Sequence, residues 1–237
     1  MSSTICLGID IGIKNLSLCI YNIKNKEIIY WDSISVIPCE NGGGDFSNDE
    51  NCSYCKFKPK FWYKKLGTGN IYLCTRHSKK EKLELDEVLK EIKTAKVKNY
   101  KIQDLAYFTM QKMNELFESN SSEFSLVNKV RIELQPKFNP KMKLISHVIY
   151  TKLIDHYKNN INISFITAKS KMKVVFSDKT YYVQYPFKNT YPERKKLAIN
   201  YTIHFVKNNI LNNTMWLDLL HKPGKRDDLC DALLICI

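Results

Sequence analysis

The sequence predicts an α/β protein: a mixed sheet flanked by helices, carrying a small insertion built around cysteine and histidine. Three observations carry that reading. The chain opens on three apolar, β-branched runs separated by short turns, strand-like and helix-like periodicities alternate in its later part, and a Gly/Asn-rich stretch leads into a compact Cys/His block. With 237 residues, 44% of them hydrophobic, the chain can bury a full core.

Thr4 to Asp10, Leu16 to Asn22 and Glu27 to Ile37 are separated by "GIKN" and "IKNK" and read as a meander of adjacent antiparallel strands. "ENGGGDFSNDEN", Glu40 to Asn51, cannot support a packed element and is expected to be a loop or linker. Beyond the Cys/His block, Ser78 to Val97 is rich in Lys, Glu and Leu and reads as a helix. A second helix runs from Ile102 through Phe117, with Leu105, Phe108, Met113 and Leu116 near one stripe. Phe124 to Leu134 holds a β-rich run, Pro140 starts a helix reaching about Tyr157, and Ile161 to Thr167 reads as another strand. Residues 169 to 190 are basic, aromatic and irregular. Pro192 then opens a helix, and a last short helix is expected from about Lys225 to Ile237, ending six residues past Asp231. The expected division is a core of residues 1–39 and 79–237 with an insertion at 40–78.

Lysine and arginine outnumber aspartate and glutamate by 37 to 24, a net charge of +13 that suits a polyanionic partner, nucleic acid before membrane. A generally basic proteome would give the same balance. No stretch approaches the ~18 apolar residues of a membrane span, and no leader pattern opens the chain, so a soluble intracellular protein is expected. Cys6, Cys19, Cys39, Cys230 and Cys236 are scattered, several in apolar runs, as small buried hydrophobes in a reducing compartment would be.

Three acidic sites stand out. Asp10 lies between Ile9 and Ile11 at the end of the first strand, where a carboxylate must be paired, solvated or metal-bound. It could equally cap the turn that follows. Glu133 repeats the pattern in "VRIELQP". In "KRDDLCDALL", Asp228 and Asp231 are three apart and Asp227 and Asp231 four apart, so either pair shares a helix face, although acids also favour a helix N-terminus for its dipole. Converging carboxylates could hold two Mg²⁺ ions roughly 4 Å apart, the arrangement that activates water and stabilises a leaving oxygen in phosphodiester cleavage.

"GIDIGIKNLSLCIYN", "IELQPKFNPKMKLISHVIYTKL" and "KRDDLCDALLICI" resemble, in order, the motifs of Holliday junction resolvases of the poxvirus and mitochondrial type, RuvC-like members of the RNase H-like superfamily. The resemblance covers nearly the whole chain outside roughly residues 40 to 100. It implies an RNase H-like sheet and a structure-specific endonuclease acting in DNA recombination and repair, a homodimer that cuts opposed strands of four-way DNA. It also implies Mg²⁺, or Mn²⁺ in its place, held as a pair by Asp10, Glu133, Asp228 and Asp231, the D-x-x-D-A-L pattern favouring Asp228 over Asp227. The motif set looks viral, which would put the protein where viral DNA replicates. Another RNase H-like nuclease, transposase-like or hybrid-cleaving, and a non-catalytic zinc-containing DNA-binding protein are the rival readings.

The compact resolvases lack the Cys/His block. Cys52-x₂-Cys55, eighteen intervening residues and Cys74-x₂-His77 match the spacing of a structural Cys₃His zinc site. Gly67 and Gly69 mark a turn, so a zinc-stapled hairpin is expected, and zinc could supply stability that so small a segment lacks. Lys58, Lys60, Lys64, Lys65, Phe61, Trp62 and Tyr63 could contact DNA, while a purely structural or dimer-forming insert is as plausible. Lys14 beside Asp10, Lys141 and Lys143, Lys169, Lys171 and Lys173, and Arg194, Lys195 and Lys196 are the other candidates for DNA phosphates, although each run alone would also suit a solvated face.

Overall fold

The computed structural model describes residues 4–37, 51–57, 59–65, 67, 69–84, 86–92, 97–135, 138–158, 160–177, 190–221 and 226–237. Two compact units emerge: Met1–Val36 with Lys101–Ile237, and Ile37–Tyr100 between them. The inserted unit is therefore wider than the 40–78 block marked by the Cys/His motif.

The first unit begins with β1 (Ile5–Ile11), β2 (Asn15–Asn22) and β3 (Glu27–Ser35), the expected antiparallel meander. The first turn is closed by the Gly12 amide donating to the Asn15 carbonyl at 2.9 Å, an approach that leaves no room for a side chain: a Cβ on Gly12 would sit 2.5 Å from that oxygen. β1 and β2 are apolar almost without alternation because both of their faces are buried.

The inserted unit holds β4 (Phe61–Lys65), β5 (Gly69–Leu73), α1 (Thr75–Ser78) and β6 (Lys90–Glu91), with strand order β5-β4-β6. Gly67 and Gly69 take positive φ at the hairpin, as their position implies. The helix expected over residues 78–97 is not formed among the described residues. Its Lys/Glu-rich stretch offers no wide apolar stripe, and helix propensity alone is a weak bias. The free edge of β4 competes successfully: Trp62 pairs with Lys90 and Phe61 with Glu91.

The chain returns to the first unit with α2 (Ile102–Ser119), α3 (Ser121–Ser125), β7 (Lys129–Glu133), α4 (Pro140–Tyr157) and β8 (Asn162–Ile166). α5 (Ala168–Ser177), α6 (Tyr191–Asn209), α7 (Asn213–His221) and α8 (Arg226–Cys236) complete it. α4 starts where the sequence placed it, with Pro140 in the first turn and the Asn139 side chain accepting from the Met142 amide. The sheet order is β3-β2-β1-β7-β8, with β7 parallel to both β1 and β8. Two elements depart from expectation. The first residues of the supposedly irregular 169–190 stretch form α5, whose Val175 packs with Ala198, Tyr201 and Leu234, and α7 adds Trp216 and Leu220 to the core against α8. The rest of that stretch, Pro136 and most of the 40–51 linker lie outside the described residues.

α8 is the buried centre of this unit. Leu229, Cys230 and Ala232 to Cys236 are all buried, packed on β1 and β2 and against α6. The short final helix is thus a core element, tied down by Trp31 Nε1 donating to the Leu229 carbonyl at 2.9 Å and by Arg131 donating to the carbonyls of Ile235 and Cys236, each at 3.1 Å.

Candidate active site and metal centres

Strand alternation sends Cys6, Gly8 and Asp10 of β1 to one face, and Gly8 meets α8 there. On β7 the same alternation groups Arg131 with Glu133, and Arg131 reaches the end of α8. Parallel pairing of the two strands runs through Gly8↔Arg131 and Ile9↔Ile132, so the next residue on each is an acid. Asp231 comes from the one partly exposed position in the second half of α8 before its end. Single carboxylate oxygens of Asp10, Glu133 and Asp231 all lie within 4.8 Å of one another. Asp228, one turn earlier, lies outside this trio, and Asp227 forms an ion pair with Lys195 of α6.

A fourth side chain completes the centre, and its role escapes the sequence. Lys171 of α5, an expected DNA contact, is buried among the acids: its Nζ is 2.7 Å from Asp231 Oδ2, 3.1 Å from Glu133 Oε1 and 4.0 Å from Asp10 Oδ1. It therefore does not face outward as a phosphate-binding lysine would. No local signal marks it, because the acids it meets lie far from it along the chain.

Burial raises the Asp10 carboxyl well above the usual range, and its hydrogen bond with Glu133 and the nearby Glu133 charge push it further. Glu133 is correspondingly lowered: burial opposes its ionisation, but the Asp10 hydrogen bond and the Lys171 charge outweigh it. Burial also raises Asp231, with Lys171 working against the shift. Lys171 itself is moved upward, because the three acids overcome the burial that would otherwise favour its neutral form.

The other basic candidates are placed differently. Lys169, Lys173, Lys196 and Lys143 are exposed, while Lys14, Lys141 and Arg194 are half-buried. Lys195 is engaged by Asp227 and also lies over the Tyr191 ring at 5.0 Å.

In the inserted unit, considered separately, Cys52, Cys55, Cys74 and His77 converge with donor atoms within 4.8 Å of one another. Cys52 Sγ is 3.3 Å and Cys74 Sγ 3.5 Å from His77 Nδ1, and the sulfurs of Cys55 and Cys74 are 3.8 Å apart. A tetrahedron with metal–sulfur bonds of about 2.3 Å has sulfur–sulfur edges of about 3.8 Å. The donor set and its spacing fit a four-coordinate ion with Nδ1 as the imidazole ligand. Backbone amides of His77 and Arg76 donate to Cys74 and lower its pKa, favouring the thiolate. Of the residues suggested to touch DNA here, Trp62 and Tyr63 are buried instead: Lys90 covers the Trp62 ring, and the Tyr63 hydroxyl donates to Glu81 at 2.5 Å. Lys58 lies outside the described residues.

Fold and site together define a carboxylate centre on an RNase H-like sheet, the fold class expected from the sequence. The crystal structure of the yeast mitochondrial Holliday junction resolvase Ydc2 has this fold, matching over 99% of this chain and 77% of that one at 13% identity and a TM-score of 0.54. Thermus thermophilus RuvC in complex with a Holliday junction substrate aligns over 98% of this chain and 90% of its own at 10% identity and a TM-score of 0.45. In sequence, an uncharacterized protein of Acanthamoeba polyphaga mimivirus is 31% identical over 199 residues, 76% of this chain and 45% of that protein. The chain thus spans less than half the length of the curated relative it matches. No protein-family model matches it. Among the described residues, no helix is long and apolar enough to cross a membrane.

Proposed function

We propose that the chain is a Holliday junction resolvase, a metal-dependent endonuclease that cuts four-way branched DNA. The observation that carries this reading is the meeting of Asp10, Glu133 and Asp231 from three elements of a fold shared with a solved resolvase. Carboxylate oxygens are the donors that hard divalent cations prefer, so the centre suits Mg²⁺, or Mn²⁺ in its place. Bound as a pair, such ions supply an activated water and neutralise charge on the departing 3′ oxygen.

The chain's own residues do the positioning. β1 and β7 fix Asp10 and Glu133 side by side, and α8 carries Asp231 to them. Asp228 is the fourth proposed ligand, on the D-x-x-D-A-L pattern that it opens. Lys14, Lys141, Lys143, Lys169, Lys173, Arg194 and Lys196 supply cations for the phosphate backbone, which gives affinity rather than sequence reading. The Cys52, Cys55, Cys74 and His77 centre holds structural Zn²⁺. A C₂ homodimer would match the twofold symmetry of a four-way junction and cut two opposed strands. The mimivirus relative fits action where viral DNA replicates.

The test is cleavage of a synthetic four-way junction in Mg²⁺, compared with linear duplex and RNA/DNA hybrid. Asp10→Asn and Asp228→Asn are expected to abolish junction cleavage while binding survives, and Asp227→Asn to retain most activity. Full activity in Asp10→Asn, or preferential cleavage of the hybrid or linear duplex, would overturn the reading.

A further inference from the structure

We infer that Lys171 is a built-in counter-ion of the acidic centre, which a divalent cation must displace, so that this one side chain sets the centre's affinity for metal. The inference rests on the metal centre proposed above. Its basis is the ammonium's position: three acids face a side chain only 7% exposed, with Nζ 2.7, 3.1 and 4.0 Å from an oxygen of each. Lysine is a compact point charge with three donors, a stand-in for a small cation where carboxylates converge. Without it, the partly buried acids would repel one another.

An ammonium and a dication draw on the same three carboxylates, and like charges a few ångströms apart in a partly buried site repel strongly. Metal binding is therefore opposed by the lysine where it stands and favoured by its withdrawal. The helix can stay in place while this happens, because α5 is anchored by Val175 against Ala198, Tyr201 and Leu234. Movement is needed only in the flexible four-carbon stem.

The test compares Mn²⁺ binding by calorimetry to the full zinc-loaded chain and its Lys171→Met variant, without DNA. The variant is expected to bind Mn²⁺ at least about tenfold tighter. It should also melt at a lower temperature when free of Mn²⁺ and gain more from adding it. Unchanged or weaker Mn²⁺ affinity in Lys171→Met overturns the inference, whereas absence of binding to both proteins removes the proposed metal centre itself. Should Lys171→Met fail to fold, ¹⁵N-lysine NMR of the unaltered chain decides the matter. A protected ammonium resonance, absent from Lys171→Arg, should disappear as Mg²⁺ is added, and its persistence at saturating Mg²⁺ overturns the exchange.

Discussion

The contact between β1 and α8 offers a severe test of how the site is held. Gly8 lies two residues before Asp10, under the helix that carries Asp231. A Cβ added there would sit 2.2 Å from the Ala232 carbonyl oxygen, 2.7 Å from Cys236 Sγ and 3.1 Å from Ile235 Cγ2. The cysteine could turn aside, but the carbonyl belongs to a buried helix backbone. Reaching ordinary contact requires the helix and strand to separate by roughly 1.2 Å. Overpacking of this kind costs about 1–3 kcal/mol, and the rigid neighbour argues for the upper end. The displacement falls on Ala232, the residue after Asp231, so the carboxylates should lose their spacing, and a 1 Å error in a catalytic array costs about 100-fold in rate. Gly8→Ala is thus expected to lower the urea midpoint of the sheet unit and to reduce Mg²⁺-dependent junction cleavage by about two orders of magnitude. An unchanged midpoint together with unchanged cleavage would refute the claim that this glycine sets the helix position.

Arg131→Met removes the donor that satisfies the last carbonyls of α8 and should cost about 1.5–3 kcal/mol in denaturant unfolding, the usual range for bonds involving a charged group. An unaltered midpoint would show that those carbonyls find other partners. Purified protein is expected to contain about one zinc per chain, and Cys74→Ser or chelation should release it. Because apparent zinc binding in small domains is ~10 to 16 kcal/mol, its loss should collapse amide protection in the inserted unit while leaving β1, β2 and β7 protected. Retained protection in β4 and β5 without metal would refute a stapling role.

How much of this was legible in the sequence depends on the length scale of each signal. β1 to β3 could be read because buried strands leave continuous apolar runs and their turns carry local chemistry. α4 could be read because Asn139 and Pro140 announce its start. The Cys/His set could be read because its spacing is itself the requirement of the site. The Ser78 to Val97 stretch misled because charged helix formers give a helical composition with little apolar face, and Lys90 and Glu91 within it pair with the edge of β4 instead. No local signal reveals such an edge. α5 was obscured for the opposite reason, since lysines at every second position break the apolar spacing that marks a helix.

Lys171 is the most instructive case. A lysine in a basic run is assigned to the surface because ammonium groups are almost never buried without a partner. Its partners are separated from it by long stretches of chain: Asp10 on β1, Glu133 on β7 and Asp231 on α8. Each acid could be suspected alone, as a charge at the end of an apolar run or on a helix face. Their sum determines the fourth residue, because three converging acids need compensating charge whatever the state of the site. A reading that begins from the acids should therefore ask which cation the fold can bring within reach. Among the lysines proposed for DNA, Lys171 answers that question, while Lys169 and Lys173, two positions to either side on the same helix, remain exposed.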